Sequence, residues 1–567
     1  MLLLVSLVSV TLYQGPIPTF YGEGATTVTR SLAERSDRPS GPAVGTAGMV
    51  SSAHPLATRA GWEILAAGGN AFDAAIAVSA TLTVVEPMMS GAGGYGTILL
   101  YDAEERDAVF LNCSGRIPAA VNSDVFRPPT PNYLENRRGA KAISTPGVVR
   151  CWEALWKEHG ELPWPRLFES AIRLADEGFP LTEATARAIA ASFAEFPDHA
   201  RQIYGRNGQP LTAGQKLVQK DLARSLRLIA DQGARVFYEG ELAQAIAGTV
   251  REAGGFLTLD DLRRHEAEWW DPISITYRGY RIVTASPPAT SFDALVRLGI
   301  MSRFPVKTLG PSSAAFLHRF AEATKIGYRV RLQYAGDPEV APPPLKLLLS
   351  ERYWAQEAAT IDPQRAKPFA MPGREPAGDR HTTHFVVADR WGNIVSATLT
   401  LGNLFGSRIM VKGTGIWLNN SLAYCTFEPK GNPMDAWAGR RKLSGDCPIL
   451  IFRRGRPWAA LGTPGGHAIS QIVAQIVMNL VDFGMTIEQA IASPRISFVE
   501  PDTIAVERTI PAPVRAQLVE RGHKLRVLDA LGNAHGLTIE YDRQGRPVRF
   551  TGSADPRGEG MALGLSK

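Results

Sequence analysis

The sequence predicts an α+β protein whose helices and strands are segregated along the chain. Helical patterning dominates from about Gly147 to Trp270, and β-branched, apolar runs take over after residue 380. Between the two lies Ile361 to Arg380, with four prolines and many charges, which reads as an exposed linker and a natural place for chain cleavage.

The 567 residues, 45% hydrophobic and 20% charged, describe a globular chain long enough for several domains. The formal charge of +6 comes mostly from scattered arginines such as Arg224, Arg227, Arg263 and Arg264. These read as solvated faces; without a dense Lys/Arg run interleaved with aromatics, no nucleic-acid partner is expected. Cys113, Cys151, Cys425 and Cys447 lack CxxC or zinc spacing and read as isolated small core residues. The apolar residues 1–13 are too short to span a bilayer. They are signal-like but lack a basic n-region and a small-x-small site, so a signal segment and a misplaced start both stand, as do cytoplasmic and exported locations. Residues 1–47 are taken as a lead-in.

Ordered structure is expected from near Val50. His54 to Ala67 reads as a helix capped by Ser51 or Ser52, with Pro55 in its first turn and Gly68-Gly69 as its stop. Asn70 caps a second, Ala-rich helix to about Val85, apolar enough to be buried. Strands follow at Thr97–Tyr101 and Ala108–Asn112. Beyond the linker, Phe385–Ala388 and Ile394–Leu401 flank Asp389-Arg390-Trp391-Gly392-Asn393, where Gly392 suits a three-residue hairpin loop. Ala459–Gly462 reads as a strand and Thr463-Pro464-Gly465-Gly466 as a tight turn. His467–Leu480 is an amphipathic helix, and Thr486 with Gln489 makes a capping box for the next.

The hairpin carries the chemistry. With Asp389 facing Asn393, continuing the register places Thr382 opposite Thr400, within reach of its backbone nitrogen; a bulge would shift this by one residue. A threonine hydroxyl needs a base. Cutting before Thr382 frees an α-amino group with an ordinary pKa of about 7.7–8.0, so nucleophile and base reside on one residue. Gly465 and Gly466 would present two N–H groups at a helix start to the oxyanion of an acyl-transfer intermediate. Together these describe an N-terminal-nucleophile amidohydrolase, acting on a small-molecule amide and needing neither cofactor nor metal.

The same residues carry a resemblance. Thr382-Thr383-His384-Phe385, Asp389-x-x-Gly392-Asn393, Thr400-Leu401, Gly415-Ile416-x-Leu418-Asn419-Asn420 and Thr463-Pro464-Gly465-Gly466 are similar to the motifs of the γ-glutamyltransferase family. So are Glu488-x-Ala490-x-Ala492-x-Pro494-Arg495, Ala554-Asp555-Pro556-Arg557, Met49-Val50-Ser51-Ser52 and Gly68-Gly69-Asn70-Ala71-x-Asp73-Ala74-Ala75, in order from about Gly48 to Arg557. The resemblance implies a four-layer αββα sandwich and self-cleavage at His381–Thr382. It implies a large (48–381) and a small (382–567) subunit from one precursor, with a higher oligomer and an amino-acid or peptide acceptor in view. It makes Thr382 the nucleophile, Thr400 its amine-positioning partner, and Gly465 and Gly466 the oxyanion hole.

Departures fall where the family grips a glutamyl group. The asparagine position after Leu401 is Gly402, with Asn403 beside it. Ser421 and Tyr424 replace the two acceptors after Asn420. Ser444 remains of a serine pair whose second member is Gly445, and Arg116 stands two places late. These substitutions argue that the acyl group need not carry a free α-amine. A γ-glutamyl donor and a carboxylate-bearing donor of oxamate or glutaryl type both stand, with Arg116 available to a carboxylate.

Plainer readings accompany each motif. Thr382-Thr383 alone would be β-propensity. His381 and His384 lack a third metal ligand. The Gly91–Gly96 run follows no clear strand and opens no helix, so close backbone packing is favoured over nucleotide binding. Asn419 and Asn420 serve equally as backbone fillers, Arg116 as an ion-pair partner, and Trp391 as a surface or subunit contact. A non-processing pseudoenzyme or binding protein is the alternative function.

Overall fold

A computed structural model of the chain describes residues 41–127, 135–369 and 381–566. The apolar segment 1–13, most of the lead-in, and the second half of the linker lie outside these residues. In chain order the strands of the two large sheets before the linker are β1 (Ala43–Gly45), β2 (Gly48–Ser52), β3 (Tyr95–Asp102), β4 (Asp107–Asn112), β5 (Glu268–Trp270), β6 (Ile273–Tyr277) and β7 (Tyr280–Thr284). After it come β8 (His381–Asp389), β9 (Ile394–Gly402), β10 (Ile449–Arg453), β11 (Arg456–Gly462), β12 (His535–Tyr541), β13 (Pro547–Ala554) and β14 (Met561–Leu565). The helices that matter here are α1 (Pro55–Ala66), α2 (Ala71–Val85), α3 (Phe292–Met301), α4 (Ala314–Tyr334) and α5 (Ile469–Val481).

Two seven-stranded sheets result, ordered β14-β2-β8-β9-β3-β4-β5 and β1-β13-β12-β11-β10-β7-β6. Neighbours in both are antiparallel. The period-2 alternation of strands assigns the layers. Val386, Ala388, Leu99 and Phe110 of the first sheet meet Val283, Leu450, Leu537 and Phe550 of the second in one inner core. The intervening residues Phe385, Val387, Val395 and Ala397 face α2 and the helical region that contributes Trp152, Phe168, Leu226 and Ile246. On the far side, Ile282, Ile449, Ile451 and Leu461 pack under α3, α4 and α5. The fold is an αββα sandwich. Strands buried on both faces explain why β8 and β9 read as nearly continuous apolar runs rather than alternating ones.

Local expectations hold with three corrections. The Asn70–Asp73 capping box and the burial of every residue of α2 are present. The α1 cap is His54, whose Nδ1 accepts from the Leu56 N–H, rather than Ser51 or Ser52, which are already inside β2. Ala43–Gly45, assigned to the lead-in, is an edge strand paired with β13. The helix expected from His467 begins as a 3-10 turn, Gly466–Ala468, before α5. All four cysteines are buried and outside any disulfide.

Candidate active site

The β8–β9 hairpin is held at its tip by Asp389. Its Oδ1 accepts the N–H groups of Trp391, Gly392 and Asn393, and its Oδ2 accepts that of Ala71, tying the loop to the start of α2. The expected register holds from Ala388 opposite Ile394 to Thr383 opposite Leu399, then breaks: His381 pairs with Gly402, leaving Thr382 at a bulge. The bulge redirects Thr400. Its hydroxyl donates to the carbonyl of His381 at 2.6 Å and accepts from the Gly402 N–H at 2.7 Å, where the regular register would have set it beside the Thr382 N–H. Thr382 Oγ1 donates to Thr400 Oγ1 at 3.4 Å. One proton on Thr400 satisfies all three bonds.

Gly465 and Gly466 lie at φ 140° and 58°, the left-handed half of backbone space that glycine tolerates. Neither N–H has an acceptor among the described residues, and both sit at the entry to α5. The turn is braced by Thr463, whose Oγ1 accepts the N–H of Asn533. The Asn533 loop is anchored in turn: Leu531 N–H donates to Glu507 and Ala534 N–H to Asp555. Buried Arg495 pairs with Asp555 at 2.8 Å, and Arg557 bridges Asp555 and Glu507. The Arg495 and Arg557 motifs therefore act at one remove, fixing the loop that fixes the turn.

Around this centre the other sequence-named residues divide. Gly402 (φ 103°) leaves no room for a side chain, because a Cβ there would lie 2.0 Å from Asn420 Oδ1. That oxygen accepts the Asn403 N–H. Asn419 is spent on backbone, bonding Gly93, Ser144 and Ser421. Gly93, Gly94 and Gly96 each pack against a backbone carbonyl that a Cβ would strike, at 2.1, 2.6 and 2.2 Å, as close packing requires. The ring of Tyr424 lies 3.3 Å from where a Cβ on Gly445 would stand, and that point is 3.1 Å from the Gly466 carbonyl. Ser444 Oγ donates to Asp446. Ser421 is buried, with no partner for its hydroxyl among the described residues. Arg116 takes the ion-pair role that stood beside its carboxylate-binding one. It pairs with Glu268 at 3.0 Å beside Arg441, bonds the Gly439 carbonyl and is 36% exposed.

The gamma-glutamyltranspeptidase family model matches residues 57–565. The chain belongs to this family. It is 33% identical to the glutathione hydrolase proenzyme of Bacillus subtilis (strain 168), over 99% of this chain and 98% of that protein. It is 34% identical to the acylase ACY 1 proenzyme of Pseudomonas sp. (strain SE83), over 93% and 95%. Among solved structures it is similar to a cephalosporin acylase from Bacillus halodurans, with a TM-score of 0.84 and 29% identity over 94% of this chain and 99% of that one. The chain is thus a gamma-glutamyltranspeptidase-family enzyme on the αββα N-terminal-nucleophile hydrolase fold.

Charges around Thr382 were not legible as site residues. Glu86, at the end of α2, accepts the Thr383 hydroxyl at 2.7 Å, and burial pushes its carboxyl up to about 8. His381 is held down at about 4 by burial and by Arg408, so it stays neutral beside the Thr382 peptide. His384, lowered further by burial, receives or gives one bond at Thr398 and packs its ring where Gly462 lacks a Cβ. Lys442 and Asp446 flank Ser444-Gly445 and are both buried. The group nearest to a metal-ligand set among the described residues, His318, Glu322 and His523, is distant in sequence from these and internally satisfied. His318 bonds His523 and the Asp362 carbonyl, and Glu322 pairs with Lys325.

Proposed function

We propose that the chain cleaves itself between His381 and Thr382 and then hydrolyses or transfers acyl groups from small amides through an acyl-Thr382 enzyme. The arrangement of Thr382, Thr400 and the His381 carbonyl carries this reading. Attack of Thr382 Oγ1 on the His381 carbonyl carbon puts negative charge on the oxygen that the Thr400 hydroxyl already contacts. The C–N bond then breaks, the hydroxyl proton passes to the released nitrogen, and water hydrolyses the resulting ester. His381 becomes a carboxyl terminus and Thr382 an amino terminus. The large subunit would end at residue 381 and the small one begin at 382.

In the mature enzyme the new α-amine takes the Thr382 proton, and Gly465 and Gly466 face the oxyanion. Relatives named glutathione hydrolase and acylase support an amide substrate, and the departures at Gly402, Ser421, Tyr424 and Gly445 keep two donors in this reading: a γ-glutamyl amide, or an amide whose acyl group bears a carboxylate without the α-amine. Gly402, Asn403, Ser421, Tyr424, Ser444 and Gly445 border the acyl site in this reading. The Ser421 hydroxyl supports it, since a buried hydroxyl without a protein partner is open to a ligand.

Purified protein tests the reading directly. Two fragments are expected on a denaturing gel, the smaller beginning Thr382-Thr383-His384-Phe385, and Thr382→Ala should remain one inactive chain. Wild-type turnover should appear with γ-glutamyl, glutaryl or oxamate amides, with or without a dipeptide acceptor. Full turnover by uncut protein overturns the assignment.

A further inference from the structure

Cys113 and Cys151 belong to no spacing motif, yet the fold sets them side by side. Both are fully buried in the same core. Cys113 follows the end of β4, and Cys151 lies in the first turn of the helix Val148–His159. The two thiols are hydrogen-bonded to each other, and Cys113 Sγ also donates to the Leu111 carbonyl at 3.7 Å.

The backbones that carry them are locked together. Gly147, the cap of that helix, comes so close to Cys113 that a Cβ on it would lie 2.2 Å from the Cys113 carbonyl oxygen. The Gly147 carbonyl in turn accepts the Cys151 N–H at 3.2 Å. Alongside, the Thr145 N–H donates to the Arg116 carbonyl at 3.1 Å, and a Cβ on Gly115 would lie 1.6 Å from the Thr145 carbonyl oxygen. Side chains on two backbones this close meet the first geometric requirement of a disulfide. The junction also backs the β8–β9 hairpin. Gly147 N–H donates to the Gly94 carbonyl at 2.9 Å, and a Cβ on Gly94 would lie 2.6 Å from the Thr400 carbonyl oxygen.

We infer that Cys113 and Cys151 form a disulfide when the chain folds in an oxidising medium, bracing the junction of β4 and the helix behind Thr400. The oxidant is a low-molecular-weight disulfide. A thiolate of the pair attacks one of its sulfurs and expels one thiolate; the other cysteine then attacks the mixed disulfide and expels the second. The protein loses two hydrogens, and the oxidant is reduced to two thiols. Burial pushes the Cys113 thiol well above its ordinary range, so thiolate is scarce once the core has closed and the bond forms during folding. It closes a loop of roughly 40 residues, which restricts the unfolded chain. Both cysteines precede His381, so the bond does not depend on self-cleavage.

The test makes the chain by cell-free synthesis with either glutathione disulfide or excess dithiothreitol. Remaining thiols are alkylated in denaturant, and peptides are mapped by mass spectrometry. Oxidised material should hold one peptide pair joined through Cys113 and Cys151, two hydrogens lighter than the separate peptides, with Cys425 and Cys447 alkylated. The dithiothreitol product should carry alkyl groups on all four cysteines. Oxidised protein should melt at least about 2 °C above reduced protein, and Cys151→Ala should remove both the linked pair and that difference. Folded, oxidised protein with Cys113 and Cys151 alkylated, or with bridges scrambled among the four cysteines, overturns the inference; so does a bond that leaves Tm unchanged. Should Cys151→Ala not accumulate as folded protein, the wild-type peptide map and its two melting temperatures decide.

Discussion

The Thr400 hydroxyl donates to the carbonyl oxygen of His381 at 2.6 Å, across a bulge that removes Thr382 from the regular ladder. A donor already aimed at the oxygen that will become negative is worth most in the step that makes it so. Thr400→Val keeps the shape and removes the donor. Its self-cleavage, followed on gels after refolding or cell-free synthesis, should slow by about 100-fold or more. Unchanged processing would assign the stabilisation elsewhere.

Gly465 should separate the two reactions. At φ 140°, alanine is strained, and the N–H it carries would be displaced. Gly465→Ala is expected to cut itself normally, since Thr400 serves that step. It should then turn over amides about 100- to 1000-fold more slowly, as for loss of an oxyanion donor. Single-turnover acylation rates of the two-fragment protein check this.

Glu86 makes stability depend on pH. Its folded pKa of about 8 exceeds its ordinary value of 4.5, so the folded state holds the proton more tightly. The cost of burying its charge is absent below about pH 4.5, grows as pH rises, and is complete above pH 8. Glu86→Gln still accepts the Thr383 hydroxyl and never ionises. Its Tm should exceed that of wild type by several degrees above pH 8 and converge with it in acid; a constant difference would refute the linkage.

Arg116→Ala should do little. An ion pair this exposed contributes about 0–1 kcal/mol. Turnover of carboxylate-bearing amides should therefore fall by less than about fivefold, the kinetic equivalent of about 1 kcal/mol. A larger loss confined to those substrates would restore Arg116 as their anchor.

What the sequence disclosed follows from how locally each feature is encoded. The Asn70 cap, the Asp389–Asn393 hairpin and the Thr486–Gln489 box are short-range patterns, and all appear as read. The bulge at Thr382 is not: it depends on Thr400 and Gly402 meeting His381, and a two-residue alternation cannot register one extra residue. Arg116 was legible only as carboxylate grip or ion-pair partner; the ion-pair reading holds, but its partner Glu268, 152 residues away, could not be named from local pattern. Lys442 and Asp446 were invisible as a pair. Their burial arises from Tyr95 and Thr97 on β3, some 350 residues earlier in the chain.

The first sheet has a further consequence. Across it, β14, β9 and all of β8 but its first residue follow the His381–Thr382 bond, whereas β2, β3, β4 and β5 precede it, and β2 is wedged between β14 and β8. Breaking one peptide link thus liberates no separable half. If the chain is cut there as proposed, each product would keep its neighbours through ladders contributed by the other, so the sheet would have to form before the cut, and two polypeptides made apart would each begin life with raw β edges seeking the missing strands.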